Sequence, residues 1–210
     1  MKILALDSAL ARASAAVLAD GCVVGAASGS ESRELAVLAA RALASSGLAV
    51  GDLDAVASTI GPGSFTGIRA GLALAAGIGL AAGIPVVGVS VGEAIAALLP
   101  EVASDRLWVA IDSRRGRIFL ERAGEITSWD RAALPKPSAP VALAGDGAAA
   151  AATSLGPVAR FAGILLPDAA GVGRAATLRL GGQLPPRPAA PLYVDPPAAL
   201  PSKGARPPPA

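Results

Sequence analysis

The chain has 210 residues, of which 53% are hydrophobic, 16% charged and 3% aromatic, with a formal net charge of +2. This composition is globular and excludes an intrinsically disordered chain. The weak charge, with no dense run of lysine and arginine, gives no support for direct, salt-sensitive binding of nucleic acid. The absence of histidine excludes Ser-His-Asp and Cys-His catalysis and histidine-ligated metal sites. A single cysteine, Cys22, rules out an internal disulfide framework and fits a reducing compartment.

The first hundred residues predict three strands followed by alternating helices and strands. Short apolar runs predict strands at 2–7, 13–19 and 22–27, and Asp20-Gly21 is a strong hairpin signal, so an antiparallel meander is expected. Apolar residues at helical spacing then predict a helix from about Ser32 that ends at Gly47. The elements that follow are a strand at 55–60, a long helix of small residues up to about Ala82, a strand at 84–89 and a short helix at about 91–99.

The second half of the chain is less regular. Two strands are predicted at 107–112 and 116–122, and another at 141–144. An alanine-rich helix should follow Gly147, and a last helix is predicted at 169–180. Residues 185–210 contain ten of the 18 prolines, so this tail is expected to be extended or disordered. No repeat of fixed period is present.

Two features bear on location. Asp7 interrupts the apolar amino-terminal run where a signal peptide would continue. Residues 70–92 carry no charge, which raises the possibility of a membrane span. This stretch is mostly alanine and glycine, and it contains Pro85 before a valine-rich strand, so we expect no span and a cytoplasmic protein.

The run from Gly61 to Gly71 (GPGSFTGIRAG) is the most informative stretch of the sequence. Its glycines permit positive φ where a strand passes into a helix, and Ser64 can accept a hydrogen bond from the first free N–H groups of that helix. A structural turn and cap is the favoured interpretation, and a phosphate site at the helix start is the second. The run lacks the Gly-Lys-Ser/Thr of a P-loop.

The end of the first strand offers a second candidate for nucleotide binding. Asp7 and Ser8 could position a phosphate or its magnesium ion, but an Asx-turn at the strand end is favoured. The residues that this hypothesis brings together are Asp7, Ser8, Gly61, Gly63 and Ser64. An acid-arginine cluster at 112–117 could also meet phosphates, although an exposed hairpin tip is the favoured interpretation.

Small residues recur every four positions along the predicted long helix, at Gly67, Gly71, Ala75 and Gly79. Such a stripe permits close approach of another element. Packing within the same domain and contact with a partner's helix are equally compatible with the spacing alone.

Five segments of the chain resemble the TsaB (YeaZ) family of bacterial proteins. They are the segments Ile3–Ser8, Ser58–Gly71, Val86–Ser90, Ala110–Phe119 and, more faintly, Ala190–Val194. The resemblance covers residues 1–122 well and is thin afterwards. It implies an α/β chain with the actin-like (ASKHA, ribonuclease H-like) fold of two lobes, the second reduced. The implied divisions are 1–100, 101–184 and the proline-rich tail 185–210.

The resemblance also implies a role. Proteins of this family pair with the homologous catalytic subunit TsaD and act with the ATPase TsaE and with TsaC to make N6-threonylcarbamoyladenosine in tRNA. The TsaB subunit is a scaffold and activator there. The expectations are therefore no catalysis, metal or required cofactor in this chain, with ATP and magnesium possible in the complex. The chain should be a homodimer when alone and should meet tRNA only through the complex.

The family dimerises through two neighbouring helices, and the resemblance transfers that surface to ten positions. They are Glu34, Leu35, Leu38, Arg41, Phe65, Ile68, Arg69, Gly71, Leu72 and Ala76. With the family in view, the small-residue stripe is interpreted as part of this partner surface. Gly71→Leu is then expected to weaken the heterodimer and leave the monomer folded.

Asp195 to Pro197 replace the basic residue expected after Tyr193. The alternative function is a nucleotide-binding ATPase or kinase-like enzyme of the same superfamily.

Overall fold

A computed structural model describes residues 1–195 of the chain. The first part contains β1 (Lys2–Asp7), β2 (Ala13–Ala19), β3 (Cys22–Gly29), α1 (Leu35–Ser46), β4 (Ala55–Gly61), α2 (Phe65–Ala82), β5 (Val86–Ser90) and α3 (Val91–Ala96). The second contains β6 (Leu107–Asp112), β7 (Arg117–Arg122), β8 (Glu125–Asp130), β9 (Val141–Ala144), α4 (Ala148–Leu155), β10 (Ala159–Phe161) and α5 (Ala169–Leu180). Short 3-10 turns lie at Ser32–Glu34, Val50–Asp52 and Gly156–Val158.

The strands form two five-stranded sheets with the same topology. The first has the order β3-β2-β1-β4-β5, with β1, β2 and β3 antiparallel and β4 and β5 parallel to β1. The second has the order β8-β7-β6-β9-β10, again with an antiparallel meander followed by two parallel strands. The chain is thus built from one strand plan used twice, although its sequence contains no visible repeat.

Helices cover both faces of the first sheet. α1 and α2 lie on one face, where Leu35, Leu38 and Ala75 pack against Leu4 and Val56. On the other face, α5 packs Val172, Ala175 and Ala176 over β1, β2 and β5. Each strand buries alternate residues on opposite faces, so both layers of helices find apolar partners.

The position of α5 does not follow the predicted division of the chain into lobes at 1–100 and 101–184. It lies within the range predicted for the second lobe, yet it packs on the first sheet. Asp168 caps the helix by accepting a hydrogen bond from Gly171 N at 2.8 Å, and Ala169 N donates to Ser14 Oγ at 2.9 Å. The chain therefore returns to the first lobe after building the second sheet. The predicted domain boundaries themselves stay a prediction.

The local signals of the sequence correspond well to the structure. The Asp20-Gly21 turn has positive φ at both residues, and Gly47 ends α1 with φ of 70°. Strands β8 and β10 were not predicted. Neither presents a clear alternation, since β8 is only partly buried along its length and β10 has three residues. Prolines and their neighbours at 185–195 lie outside helices and strands; the rest of the tail lies beyond the described residues.

Candidate partner interface and cleft

The start of α2 is built as the capping interpretation predicts. Ser64 is the N-cap, and its Oγ accepts a hydrogen bond from Gly67 N at 3.2 Å. The helix then runs for 18 residues to Gly83, which has φ of 67°. This geometry places one long helix across the outer side of the first sheet.

The small-residue stripe of α2 faces the chain's own sheet. A Cβ atom at Gly67 would overlap the Ser8 carbonyl oxygen, and one at Gly71 would lie 2.9 Å from Ser58 Oγ. At Gly79 the nearest atom would be Val86 Cγ2, at 2.6 Å. The small residues let α2 lie close to β1, β4 and β5. The prediction that they accept a partner's helix is therefore wrong, and packing within the lobe explains the spacing.

The ten predicted interface residues divide into two groups. Five are buried within this chain, at Leu35, Leu38, Ile68, Gly71 and Leu72. Five are exposed, at Glu34, Arg41, Phe65, Arg69 and Ala76. Leu35 and Leu38 pack on the sheet, and Gly71 lies against Ser8 and Ser58. Ile68 and Leu72 join a cluster that both lobes form. Gly71→Leu would push a side chain into Ser8, Ser58 and Leu35, so the expectation that this variant leaves the monomer folded is corrected.

The outer side of α1 and α2 is unusually apolar for an exposed surface. Leu80 is 87% exposed, Phe65 59% and Val37 53%. We define the outer helical surface by six exposed residues, which are Val37, Phe65, Arg69, Ala73, Ala76 and Leu80. Sequence reasoning missed three of them, Val37, Ala73 and Leu80. The signal in the sequence was that α2 has apolar residues on all its sides, whereas burying one stripe requires them on one side only.

By length and composition α2 is also apolar enough to cross a membrane, with a mean hydropathy of 1.5. One third of the helix is nevertheless buried in this chain, through the small-residue stripe together with Ile68 and Leu72. A sheet-covering helix passes the same test, so its composition is weak evidence for a span.

Arg69 connects this surface to the end of the described chain. Its guanidinium lies 3.8 Å from the centroid of the Phe65 ring, and its Nη2 donates a hydrogen bond to Tyr193 Oη at 2.8 Å. Leu192 N donates to Ile60 O at 2.9 Å, which holds this segment against β4. The segment that precedes residue 196 thus positions a charged side chain within the outer helical surface.

The candidate nucleotide residues lie together, but most of their polar groups form hydrogen bonds within the chain. Asp7 is 1% exposed, and its Oδ1 accepts hydrogen bonds from Thr59 Oγ1 at 2.9 Å and from Ala9 N at 3.2 Å. Ser8 Oγ donates to Gly67 O at 2.8 Å, and Ser64 N donates to Ala9 O at 2.6 Å. The Asx-turn interpretation of Asp7 is therefore confirmed.

Gly61 and Gly63 allow the loops that follow β1 and β4 to pack closely against each other. Both have positive φ, of 117° and 156°, and a Cβ on Gly63 would overlap the Ala9 carbonyl oxygen. Apolar side chains from both lobes pack beside these loops in one cluster. Its members include Ile60, Ile68, Val91, Val109, Ile111, Ala144 and Leu192. The cleft beside the loops is packed with hydrocarbon where a bound phosphate would need polar partners.

Burial dominates the ionisation of Asp7. It raises the pKa of this carboxyl to about 6, against the opposing effects of hydrogen bonds from Ala9 and Thr59 and of the nearby Arg12. Asp7 Oδ2 has no hydrogen-bond partner among residues 1–195. Ionised Asp7 is thus a cost to the folded state.

Asp7→Asn tests this cost. The pKa of Asp7 is higher in the folded protein than in the unfolded chain, so the unfolded chain loses this proton at a lower pH. The free energy of unfolding of the wild type therefore falls as the pH rises from about 4 to 6. We expect the stability of Asp7→Asn relative to wild type to increase by about 3 kcal/mol between about pH 4 and pH 8. Chemical denaturation at each pH measures it. Parallel pH profiles of the two proteins would contradict the assignment.

The cluster at 112–117 forms an exposed hairpin between β6 and β7, as the favoured interpretation predicts. Arg114 N donates to Asp112 Oδ1 at 2.8 Å, and Arg114 Nη2 pairs with Asp146 Oδ2 at 2.8 Å. Asp112 ends β6 as Asp7 ends β1, so the two acids occupy corresponding positions in the two lobes.

Two sheets of identical strand order, each a meander followed by parallel strands, define an α/β protein with the actin-like (ASKHA) fold, whose second lobe is reduced. The sequence model of the family described as "TsaD: tRNA N6-adenosine threonylcarbamoyltransferase" matches residues 12–147. Together with the relatives below, this match shows that the chain belongs to that family and, within it, to the TsaB (YeaZ) group.

Two curated relatives carry the name tRNA threonylcarbamoyladenosine biosynthesis protein TsaB. The protein of Escherichia coli K12 is 33% identical over 123 residues, which cover 57% of this chain and 53% of that protein. The Haemophilus influenzae protein is 32% identical over 97 residues, 41% of each chain. The matched region thus spans about half the length of these relatives or less.

Two solved structures from Pseudomonas aeruginosa share the fold over almost the whole chain. One, described as similar to the peptidase YeaZ, has a TM-score of 0.78 and 24% identity and covers 92% of this chain and 99% of its own. The other, YeaZ, has a TM-score of 0.74 and 26% identity and covers 91% and 99%.

Proposed function

We propose that this chain is a non-catalytic scaffold and activator subunit in the synthesis of N6-threonylcarbamoyladenosine in tRNA. Its relatives are named for that pathway. The partner in this proposal is a TsaD-like catalytic subunit, which binds the outer helical surface. A TsaE-like ATPase joins the complex, and tRNA is met only through it.

The exposed apolar side of α2 is the observation that carries the proposal. Leu80, Phe65 and Val37 would expose large hydrocarbon surfaces to water unless another protein covers them. Arg69 adds a charge that Tyr193 and Phe65 hold in one orientation. Aromatic residues and arginine are the side chains that most often dominate binding energy in protein interfaces. In the absence of the catalytic subunit, the same surface would support a homodimer.

The surroundings of Asp7 and Ser8 support a subunit that has no catalytic activity of its own. Asp7 and Ser8 are hydrogen-bonded to this chain, and apolar side chains fill the cleft beside them. The proposal therefore assigns no cofactor to this chain and leaves ATP and magnesium to the complex. It includes a cytoplasmic location without membrane attachment.

Charge reversal of Arg69 tests the proposal directly. Arg69→Glu should abolish co-elution with a TsaD-like subunit in size-exclusion chromatography, because the new carboxylate removes the contact to Tyr193 Oη and reverses the charge of the surface. The thermal midpoint of the isolated chain should change little, since Arg69 is exposed. Arg160→Glu, an exposed arginine on β10, is the matched control and should co-elute as wild type does. Equal co-elution of both variants would contradict the proposed surface.

An ATPase or kinase-like activity is the alternative. Its one supporting observation is Asp7 Oδ2, which has no partner among the described residues and could face a metal ion. The 1% exposure of Asp7 opposes it. Binding of magnesium ATP by the isolated chain, lost in Asp7→Ala, would favour this alternative.

A further inference from the structure

A cavity of about 880 Å³ lies beside α3 and α5, on the opposite face of the first sheet from α1 and α2. Its walls come from both lobes and from the segment that follows α5. Most of the lining is apolar and includes Leu99, Val102, Leu107, Leu178 and Leu184. This size and character are typical of pockets that bind small molecules.

One wall of the cavity carries a carboxyl group that the chain holds in place. Glu121 is 4% exposed; its Oε1 accepts a hydrogen bond from Ser90 Oγ and its Oε2 accepts one from Gly92 N at 2.8 Å. A Cβ on Gly92 would overlap this carboxyl, so glycine is needed there. Burial raises the pKa of Glu121 to about 7. Near neutral pH the group therefore carries only part of a negative charge.

The other charged groups at the cavity leave an excess of positive charge. Glu93 Oε1 accepts from Arg179 Nη2 at 2.5 Å and lies 3.1 Å from Arg187 Nη2. Arg179 is used further, since it donates to the carbonyl oxygens of Gly88 and Pro185. Arg187 lines the cavity, and its Nε has no hydrogen-bond partner among residues 1–195. Arg174 lines the cavity as well and is exposed.

We propose that this cavity binds a small organic acid with an apolar tail, whose carboxylate pairs with Arg187 while the tail lies among Leu99, Leu107 and Leu178. Arg174 and Arg187 line the cavity, and Arg179, which is not part of the lining, pairs with Glu93. Against these three arginines stand Glu93 and the partly charged Glu121, so an anion is the ion that the site lacks. A guanidinium is well suited to a carboxylate because it offers parallel N–H donors. The long apolar wall then favours an acid with a hydrocarbon chain over a small inorganic anion.

Titration calorimetry with decanoate, and with decylamine as a cation of equal chain length, tests the proposal on the full chain. We expect decanoate to bind at one site and decylamine to bind at least roughly tenfold more weakly. Arg187→Gln should weaken decanoate binding roughly tenfold or more. Arg160→Gln, which changes an exposed arginine elsewhere, should leave it unchanged.

Arg187 also contacts Glu93, so its substitution changes more than the proposed ligand contact. A second variant therefore changes the apolar wall of the cavity and leaves the charged residues intact. Leu178→Trp enlarges a side chain of the apolar wall that is 39% exposed, and it should block decanoate while the thermal midpoint stays near wild type. Equal binding of decanoate and decylamine, or no binding of decanoate by the folded wild-type chain, would overturn the proposal. Co-elution with a TsaD-like subunit is a separate readout, because the cavity and the outer helical surface lie on opposite faces of the sheet.

Discussion

Gly67→Ala is expected to destabilise the fold by about 3 kcal/mol or more, although it adds one methyl group and raises helix propensity. The new Cβ would overlap the carbonyl oxygen of Ser8, which is backbone and cannot rotate away. Either α2 moves off the sheet or β1 shifts at its end, and both changes disturb buried contacts around Ser8 and Gly71. Urea denaturation of the purified variant measures the loss.

Gly77→Ala is the matched control in the same helix. A Cβ at Gly77 meets nothing within 4 Å, and the residue is exposed. The substitution should therefore stabilise the chain by roughly 0.5–1 kcal/mol, the helix-interior preference for alanine over glycine. Two identical substitutions ten residues apart should thus have opposite signs. Equal effects at both positions would mean that the stripe does not pack on the sheet as described.

The second large effect is expected at the outer helical surface. The double variant Phe65→Asp/Leu80→Lys should weaken binding of a TsaD-like subunit by roughly a hundredfold or more, because two large apolar anchors become charged. Each charge suits its end of the helix: the acid lies at the first residue of α2 and the base near the last. Calorimetry or surface plasmon resonance measures the affinity, and the isolated variant should melt as wild type does.

A second double variant, on the second lobe, is the control for the loss of exposed apolar surface as such. Phe161 and Leu165 are 55% and 52% exposed, similar to Phe65, and lie outside α1 and α2. Phe161→Asp/Leu165→Lys should leave the affinity for the partner unchanged. If the two double variants weaken binding equally, the partner surface does not lie on α2.

Much of the secondary structure was predictable because its signals are local. Asp20-Gly21, Gly47 and Ser64 each act on the backbone of their immediate neighbours, and the structure has a turn, a helix end and a helix start at these positions. The weak alternation in β8 and the short length of β10 explain why these strands were missed. They become strands by pairing with β7 and β9, which no local pattern reveals.

The candidate interface was predictable only in part. Helical spacing identifies a face of residues such as Leu35, Leu38 and Ala42, but spacing is the same whether a face covers its own sheet or a partner. The sheet takes that face here, so the exposed remainder, including Leu80 and Arg69, is the surface left for another protein. Glu121 likewise gave no sequence signal, because Ser90 and Gly92 reach it from 29 or more residues away.

The sequence by itself determined most of the helices and strands, the absence of histidine chemistry and, through its motif at 61–71, the family. The helices, the strands and the missing chemistry follow from composition and from interactions between residues near in the chain, and the family follows from the resemblance of the motif to known sequences. Only the tertiary structure decided which side of α2 is buried, that α5 returns to the first sheet, and that a cavity with excess positive charge lies beside it. Those outcomes depend on contacts between distant segments, and a helix with apolar residues on every side can be oriented only by the surfaces that surround it.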